Sequence, residues 1–196
     1  MGIYKTLAGL GVLVSGLGVF GYKINQGILE DRFNSIVNSA REVPINGYEI
    51  SSSPLYTEDL FNCTSLLLLS DEDNVVAQSH YPLSNEAAKN ENVPNPPEYL
   101  NVMLDGLRGL GAESSELVAV IVAGTDEHAD RLEELLRERN IPLVASYKDN
   151  FRQYPGNQLH IEEDRKHNDS MRKKAAVNPD NGDVVIFTGG LYRKLH

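Results

Sequence analysis

Two side chains of this sequence could together form a thiol–imidazole site. Cys63, the only cysteine, stands just before one apolar run, and His80 closes the next apolar run 17 residues later. A thiol with a pKa of about 8.5 is mostly protonated at neutral pH, and a neighbouring imidazole can take its proton and make it a nucleophile. The imidazole then needs a hydroxyl or a backbone carbonyl to hold its tautomer. The alternative is that Cys63 is a small hydrophobic residue of the core beside an incidental histidine.

A β-hairpin would bring these two residues together. The acidic segment 71–74 predicts a four-residue loop between strands at 64–69 and 75–79. In that register the numbers of opposed residues sum to 145. Because side chains alternate between the faces of a sheet, Cys63 and His80 are then diagonal neighbours on one face, with backbones roughly 7–8 Å apart. A three-residue loop would reverse this parity and separate them.

The elements that must position the hairpin are short apolar runs and two amphipathic helices. The apolar run 116–124 indicates a strand buried on both faces, and helical periodicity predicts helices at 98–110 and 126–140. Further strands are predicted at 48–51, 141–147, 157–161 and 183–188. Two helices are too few to cover both faces of a doubly wound sheet. We therefore predict an α+β protein, an α/β sandwich of mixed β-sheets flanked by helices.

The N-terminal part differs from the rest of the chain. Residues 6–22 are uncharged and largely apolar, and 17 residues is the lower limit of a membrane-spanning helix, about 17–25 residues. We predict an anchor helix within residues 1–23, with a secretory signal peptide as the alternative. An excess of basic residues after this segment favours a cytoplasmic domain, and secretion after signal cleavage is the alternative. A connecting helix is predicted within 24–46, with its helical pattern ending at Glu42, before a domain over 47–196.

Composition excludes several classes of function. The net charge of −10 excludes a nucleic-acid backbone as partner, because no basic stripe could replace its counterions. One cysteine excludes internal disulfides and thiolate metal clusters. Segment 160–167, "HIEEDRKH", is interpreted as a solvated charged loop, and Asp126 and His128 as a helix cap and an exposed side chain. No metal and no cofactor is expected.

Thr57, Cys63 and His80, in that order across a hairpin, resemble the catalytic triad of the chemoreceptor glutamine deamidases, the CheD family. The family segment "T-x-L-G-S-C" corresponds to "TEDLFNC" here, and the family segment "H-F-M-L-P" to "HYPLS". Weaker similarity extends through "LGAESSELVAVIVAGTD" to a closing strand in "GDVVIFTGG". The resemblance covers about residues 54–190, and only the Thr–Cys–His spacing is specific.

The resemblance implies a cysteine-dependent amidohydrolase that acts on the side-chain carboxamide of a protein glutamine. Cys63 would attack the carboxamide, His80 would be the general base, and Thr57 would orient His80. Asn62 and Gly124 would contribute to oxyanion or substrate binding. The implied partner is a protein that presents glutamine side chains, such as a membrane receptor.

The sequence departs from the family pattern near the cysteine. Phe61 and Asn62 stand where the family has glycine and serine, and a bulky Phe61 could alter the backbone donors of an oxyanion hole. A family glycine–arginine segment is reduced to "YPGNQ", and residues 164–179 look like an insertion. Two alternatives therefore stay open: a catalytically inactive, membrane-tethered binding module of the same fold, and a hydrolase of small amides or thioesters.

Overall fold

The computed structural model describes residues 25–60, 63–70, 72–81, 96–123, 126–147, 173–188 and 191–195. Across these ranges the chain is a mixed α+β protein with three α-helices, ten strands and two short 3₁₀ turns. The helices are α1 (25–37), α2 (Pro96–Gly109) and α3 (Asp126–Glu138). The strands are β1 (Arg41–Glu42), β2 (Gly47–Ser51), β3 (Leu55–Thr57), β4 (Ser65–Ser70), β5 (Val75–His80), β6 (Leu117–Val122), β7 (Leu143–Tyr147), β8 (Lys174–Asn178), β9 (Asp183–Thr188) and β10 (Leu191–Lys194).

The strands form two mixed sheets of five strands each. Sheet A has the order β1-β3-β8-β9-β10, and sheet B the order β2-β5-β4-β6-β7. In sheet A only β1 and β3 run parallel, and in sheet B only β6 and β7 do; the other pairs are antiparallel.

The leucine run of β4 explains how the layers pack. Leu66 and Leu68 face α2 and α3, while Leu67 and Leu69 face sheet A. Alternate side chains of one strand thus serve two separate cores, which requires an apolar residue at every position. Full burial of each leucine stabilises the fold by about 1.5–3 kcal/mol before conformational entropy is counted. β4 is therefore an inner strand of sheet B, buried on both faces.

The helices cover the outer faces of the two sheets. Leu100, Met103, Leu104 and Leu107 of α2 pack with Ala129, Leu132, Leu135 and Leu136 of α3 on the outer face of sheet B. Helix α1 covers sheet A with two buried side chains, Phe33 and Ile36. The order of layers is therefore α1, sheet A, sheet B, then α2 with α3.

A charged contact ties α1 to sheet A. Asp183 at the start of β9 is buried and accepts hydrogen bonds from the guanidinium of Arg32 in α1. The ammonium of Lys194 in β10 lies 2.6 Å from the other carboxylate oxygen of Asp183. Burial by itself would raise the pKa of Asp183, but its hydrogen bonds and ion pairs with Lys194 and Arg32 outweigh this and lower it.

Several predictions from the sequence are confirmed. The β4–β5 hairpin has the predicted register, with Ser70 opposite Val75 and Leu67 opposite Gln78. The helices predicted at 98–110 and 126–140 form as α2 and α3. Asn140 follows α3 with a φ of 57°, the left-handed conformation that ends helices and that asparagine tolerates.

Other predictions from the sequence are wrong. The helical pattern read to Glu42 ends at residue 37, and Arg41–Glu42 instead pairs with β3 at the edge of sheet A. No strand was predicted within 164–179, the segment that looks like an insertion relative to the family, but this segment contains β8, the central strand of sheet A. Its "KAAVN" segment was missed because two alanines give little hydrophobic signal, although both are fully buried.

Within the described ranges, no helix has the length and apolar character needed to cross a membrane. The predicted anchor at 6–22 and the predicted strand at 157–161 lie outside those ranges.

A candidate thiol–imidazole site between the sheets

Three strand ends carry the residues of the candidate site. Thr57 is the last residue of β3 in sheet A, His80 is the last residue of β5 in sheet B, and Cys63 lies two residues before β4. The hairpin register extends to a bridge between Thr64 and Tyr81. Cys63 therefore falls on the same face of sheet B as His80, the face that packs against sheet A. In agreement with this, Cys63 packs on the core between the two sheets.

A buried hydrogen bond joins two of these residues. The Thr57 hydroxyl oxygen lies 2.8 Å from Nδ1 of His80, and neither side chain is more than 1% exposed. The same hydroxyl lies 3.2 Å from the carbonyl oxygen of Val43 and donates to it. A carbonyl can only accept, so the single hydroxyl proton points at Val43 and the Thr57 oxygen accepts from Nδ1–H. The contact selects the tautomer in which Nε2 is unprotonated.

The surroundings of His80 favour the neutral ring. Burial lowers the pKa of His80 below its usual 6.5, because burial penalises the charged imidazolium. The carboxylate of Asp59 and the carbonyl of Val43 act in the opposite direction and only partly offset the effect of burial. At neutral pH the ring is therefore uncharged and can accept a proton at Nε2.

Nε2 of His80 is buried, and none of the residues that the structure describes forms a hydrogen bond with it. The Cys63 thiol is therefore not hydrogen-bonded to Nε2. Burying such an acceptor unpaired costs about 1–3 kcal/mol. Cys63 differs from Thr57 and His80 in being partly exposed. The potential nucleophile is thus the member of the set that solvent can reach, while the potential base and its orienting hydroxyl are enclosed.

Sequence reasoning missed three residues around this site. Val43, between β1 and β2, supplies the carbonyl that orients Thr57. Asp59, two residues after Thr57, has a φ of 56° and acts electrostatically on His80. Lys173, just before β8, is a lysine that is only 1% exposed. A lysine within a charged run gives no sequence signal of burial, and the other two contacts depend on how the sheets pack.

The other predicted residues fall elsewhere or outside the description. Phe61, Asn62, Gly124 and the segment 160–167 lie outside the described residues. His128, interpreted from sequence as exposed, is half-buried on the other face of sheet B. Its ring contacts that of Tyr81 in a tilted arrangement, with 5.3 Å between the centroids, and it lines a small pocket with Thr64 and Tyr99. His128 is therefore not on the Cys63 face.

The described side chains favour acid–base and nucleophilic chemistry. Among them, no three histidine, cysteine or carboxylate side chains are grouped as metal ligands would be. A neutral, oriented imidazole and a partly exposed thiol on one face are the groups that nucleophilic catalysis at an acyl carbon uses.

No model of a known protein family matches the chain, and no curated protein matches it either.

Proposed function

We propose that this protein is a cysteine-dependent amidohydrolase, most simply a protein glutamine deamidase of the CheD type. The carrying observation is the buried Thr57–His80 hydrogen bond of 2.8 Å. It holds the imidazole in the tautomer that a general base requires, on the face of sheet B that Cys63 shares. Thr57 and His80 belong to different sheets, so this contact depends on the packing of the whole sandwich.

The proposed reaction hydrolyses a side-chain carboxamide through an acyl-enzyme. Nε2 of His80 takes the proton of the Cys63 thiol, and the sulfur attacks the amide carbon. The carbon–nitrogen bond breaks as the imidazolium returns its proton to the nitrogen, so that ammonia leaves and a thioester remains. Water, deprotonated by Nε2, then attacks the thioester, and the thiol departs with the proton. One glutamine and one water give one glutamate and one ammonia.

The roles of the three residues follow from their environments. His80 must accept a proton and return it within one turnover, and the low pKa that burial imposes makes its imidazolium a ready proton donor. Thr57 stabilises the imidazolium because Nδ1–H keeps its acceptor in both charge states. Asn62 and Gly124 complete the proposal as oxyanion or substrate-binding residues, on the resemblance alone. The proposal needs no cofactor.

The test is ammonia release from a protein that presents exposed glutamines, with mass spectrometry of its peptides to locate glutamate formed from glutamine. Wild-type protein should convert defined sites, and Cys63→Ser should not, because a serine alkoxide is far harder to form than a thiolate. Ser53→Ala provides a matched control, since it alters an exposed serine in the β2–β3 turn. Equal conversion by wild type and Cys63→Ser would refute the proposal.

A second candidate is a catalytically inactive binding module of the same fold. It is favoured by one observation, the lack of a hydrogen bond between Cys63 and Nε2 of His80. Rates of Cys63 alkylation by iodoacetamide, measured against pH, separate the two candidates. If Nε2 takes the thiol proton, Cys63 should be alkylated faster at pH 7 than a free cysteine, and His80→Ala should slow the reaction. A rate equal to that of a free thiol and insensitive to His80 would favour the binding module.

We further propose that residues 6–22 anchor the protein in a membrane with the domain in the cytoplasm, so that its substrate is a membrane protein. The support is the uncharged run and the basic residues that follow it. Carbonate-resistant sedimentation of full-length protein with membranes, lost on deletion of residues 6–22, would support the anchor. Full-length protein with an intact N-terminus in the soluble fraction would contradict it.

A further inference from the structure

Lys173 is a buried lysine at the same end of the sandwich as Thr57 and His80. It directly precedes β8, in which Ala175 lies opposite Thr57. Ala175 and Val177 face the core between the sheets, so by strand alternation Lys173 also points between them. Its own carbonyl accepts a hydrogen bond of 3.1 Å from the amide of Leu60, in the segment that leads from Thr57 towards Cys63.

The ammonium of Lys173 crosses from sheet A to the strand beside Cys63. Nζ donates a hydrogen bond of 2.7 Å to the carbonyl of Ala123, directly after β6 of sheet B. In the β4–β6 pair Ser65 lies opposite Val122, so that continuing this register brings Ala123 opposite Thr64, next to Cys63. Diagonal neighbours of such a pair are roughly 7–8 Å apart. A buried positive charge thus lies on the order of 10 Å or less from the candidate nucleophile.

Because Lys173 is buried, its charge interacts more strongly with a nearby thiolate than a surface charge would. Two charges interact several times more strongly inside a protein than in water, because the surroundings screen them less. Lys174, the next residue, is not buried. It points to the opposite side of β8 and forms an ion pair of 3.1 Å with Glu58, in which both side chains are about one-third exposed. Two adjacent lysines therefore have different environments, one between the sheets and one at the surface.

We propose that Lys173 is a positioning and electrostatic residue of the candidate site, which holds the end of β6 beside Cys63 and stabilises the negative charge that forms on its sulfur. The inference deepens the proposed amidohydrolase function and rests on it for its biological purpose. The described charged or titratable groups at this end of the core include the imidazole of His80, the carboxylate of Asp59 and the ammonium of Lys173, with the Glu58–Lys174 pair towards the surface. The positive charge of Lys173 favours the thiolate form of Cys63.

The pH dependence of Cys63 alkylation tests the inference. Lys173→Met replaces the buried charge by an apolar side chain and also removes the donor to the Ala123 carbonyl. It should raise the alkylation midpoint by about one pH unit, since one charge acts at this range through a partly screened medium. The rate of alkylation at pH 7 should fall about tenfold accordingly. Lys174→Met, which removes the neighbouring surface lysine, should leave the midpoint unchanged.

Lys173→Gln separates charge from tethering, because its amide can still donate to the Ala123 carbonyl but carries no charge. A midpoint raised in both Lys173→Met and Lys173→Gln supports the inference. A midpoint equal to that of wild type in Lys173→Gln, read on protein with an unchanged circular dichroism spectrum, overturns it and leaves only a structural tie. A raised midpoint in a protein that releases no ammonia would instead refute the proposed function and leave the electrostatic role of Lys173 standing.

Discussion

The hydroxyl of Thr57 can be removed without changing the shape of the core. Thr57→Val keeps the branched side chain, which is fully buried, and removes the one atom that contacts both Val43 and His80. The Nδ1–H of His80 then loses its hydroxyl acceptor at 2.8 Å, and the Val43 carbonyl, which also acts on His80, remains. Thr57→Ser is the matched control, because it keeps the hydroxyl and removes only the methyl group.

The cost of losing this hydrogen bond follows from the burial of both Thr57 and His80. A buried donor left without its partner costs about 1–3 kcal/mol. The tautomer with the proton on Nδ1 loses that stabilisation. A loss of about 1–2 kcal/mol lowers the ratio of this tautomer to the other by a factor of about 5–30. If only this tautomer offers Nε2 as a base, Cys63 alkylation at pH 7 and ammonia release should fall by no more than the same factor of about 5–30. The free energy of unfolding should fall by about 1–2 kcal/mol.

Three measurements decide this prediction. Long-range ¹H–¹⁵N spectra of His80 report which ring nitrogen carries the proton, alkylation kinetics report the thiolate, and thermal unfolding reports stability. We expect wild type and Thr57→Ser to protonate Nδ1, and Thr57→Val to show a mixture with slower alkylation. A Thr57→Val protein that has the wild-type tautomer and wild-type alkylation would show that Thr57 does not orient the base, and that the carbonyl of Val43 is sufficient.

The remaining predictions concern His80, Asp183 and Leu67. The pKa of His80 is lower in the folded protein than the unfolded value of 6.5, so the unfolded state takes up a proton at a higher pH. The free energy of unfolding should therefore decline as pH falls below 6.5. Urea unfolding at several pH values should show this decline, which should be weaker in His80→Gln. The pKa of Asp183 is lowered in the folded protein, so its stabilisation is present above the unfolded value of 3.8 and lost as pH falls through the folded value. Asp183→Asn should therefore destabilise the protein by about 1–3 kcal/mol at pH 7 and by less at pH 3, whereas an equal loss at both values would exclude an ionic role. Leu67→Ala should cost about 2–5 kcal/mol in denaturant unfolding, because Leu67 is buried between the sheets, and a cost below 1 kcal/mol would contradict that packing.

The local elements of this fold were largely readable from the sequence. The apolar runs at 64–69 and 116–124 were predicted as strands and form β4 and β6. The hairpin register followed from one acidic loop, because a loop of four residues sets which residues are opposed. Helices α2 and α3 followed from apolar spacing, since each buries one face on sheet B.

Elements that depend on long-range pairing were not readable. Strands β1 and β3 are two and three residues long, and β8 contains two small alanines, so none of them has a sequence pattern of its own. Each becomes a strand because a neighbour in sheet A offers it backbone hydrogen bonds. The helical pattern read to Glu42 failed for the same reason, because pairing with β3 prevails over local helix propensity at Arg41–Glu42.

For the site, the sequence by itself predicted that Cys63 and His80 share one face if the hairpin loop has four residues, and the register of the β4–β5 hairpin decided between this loop and a three-residue one. The 2.8 Å contact between Thr57 and His80 was decided by tertiary structure, since these residues belong to different sheets. Tertiary structure also decided the state of the imidazole and the burial of Lys173, because desolvation depends on what packs around a group. A sequence lists the groups that can exchange protons, and the packing of the two sheets sets the tautomer and the charge that each adopts.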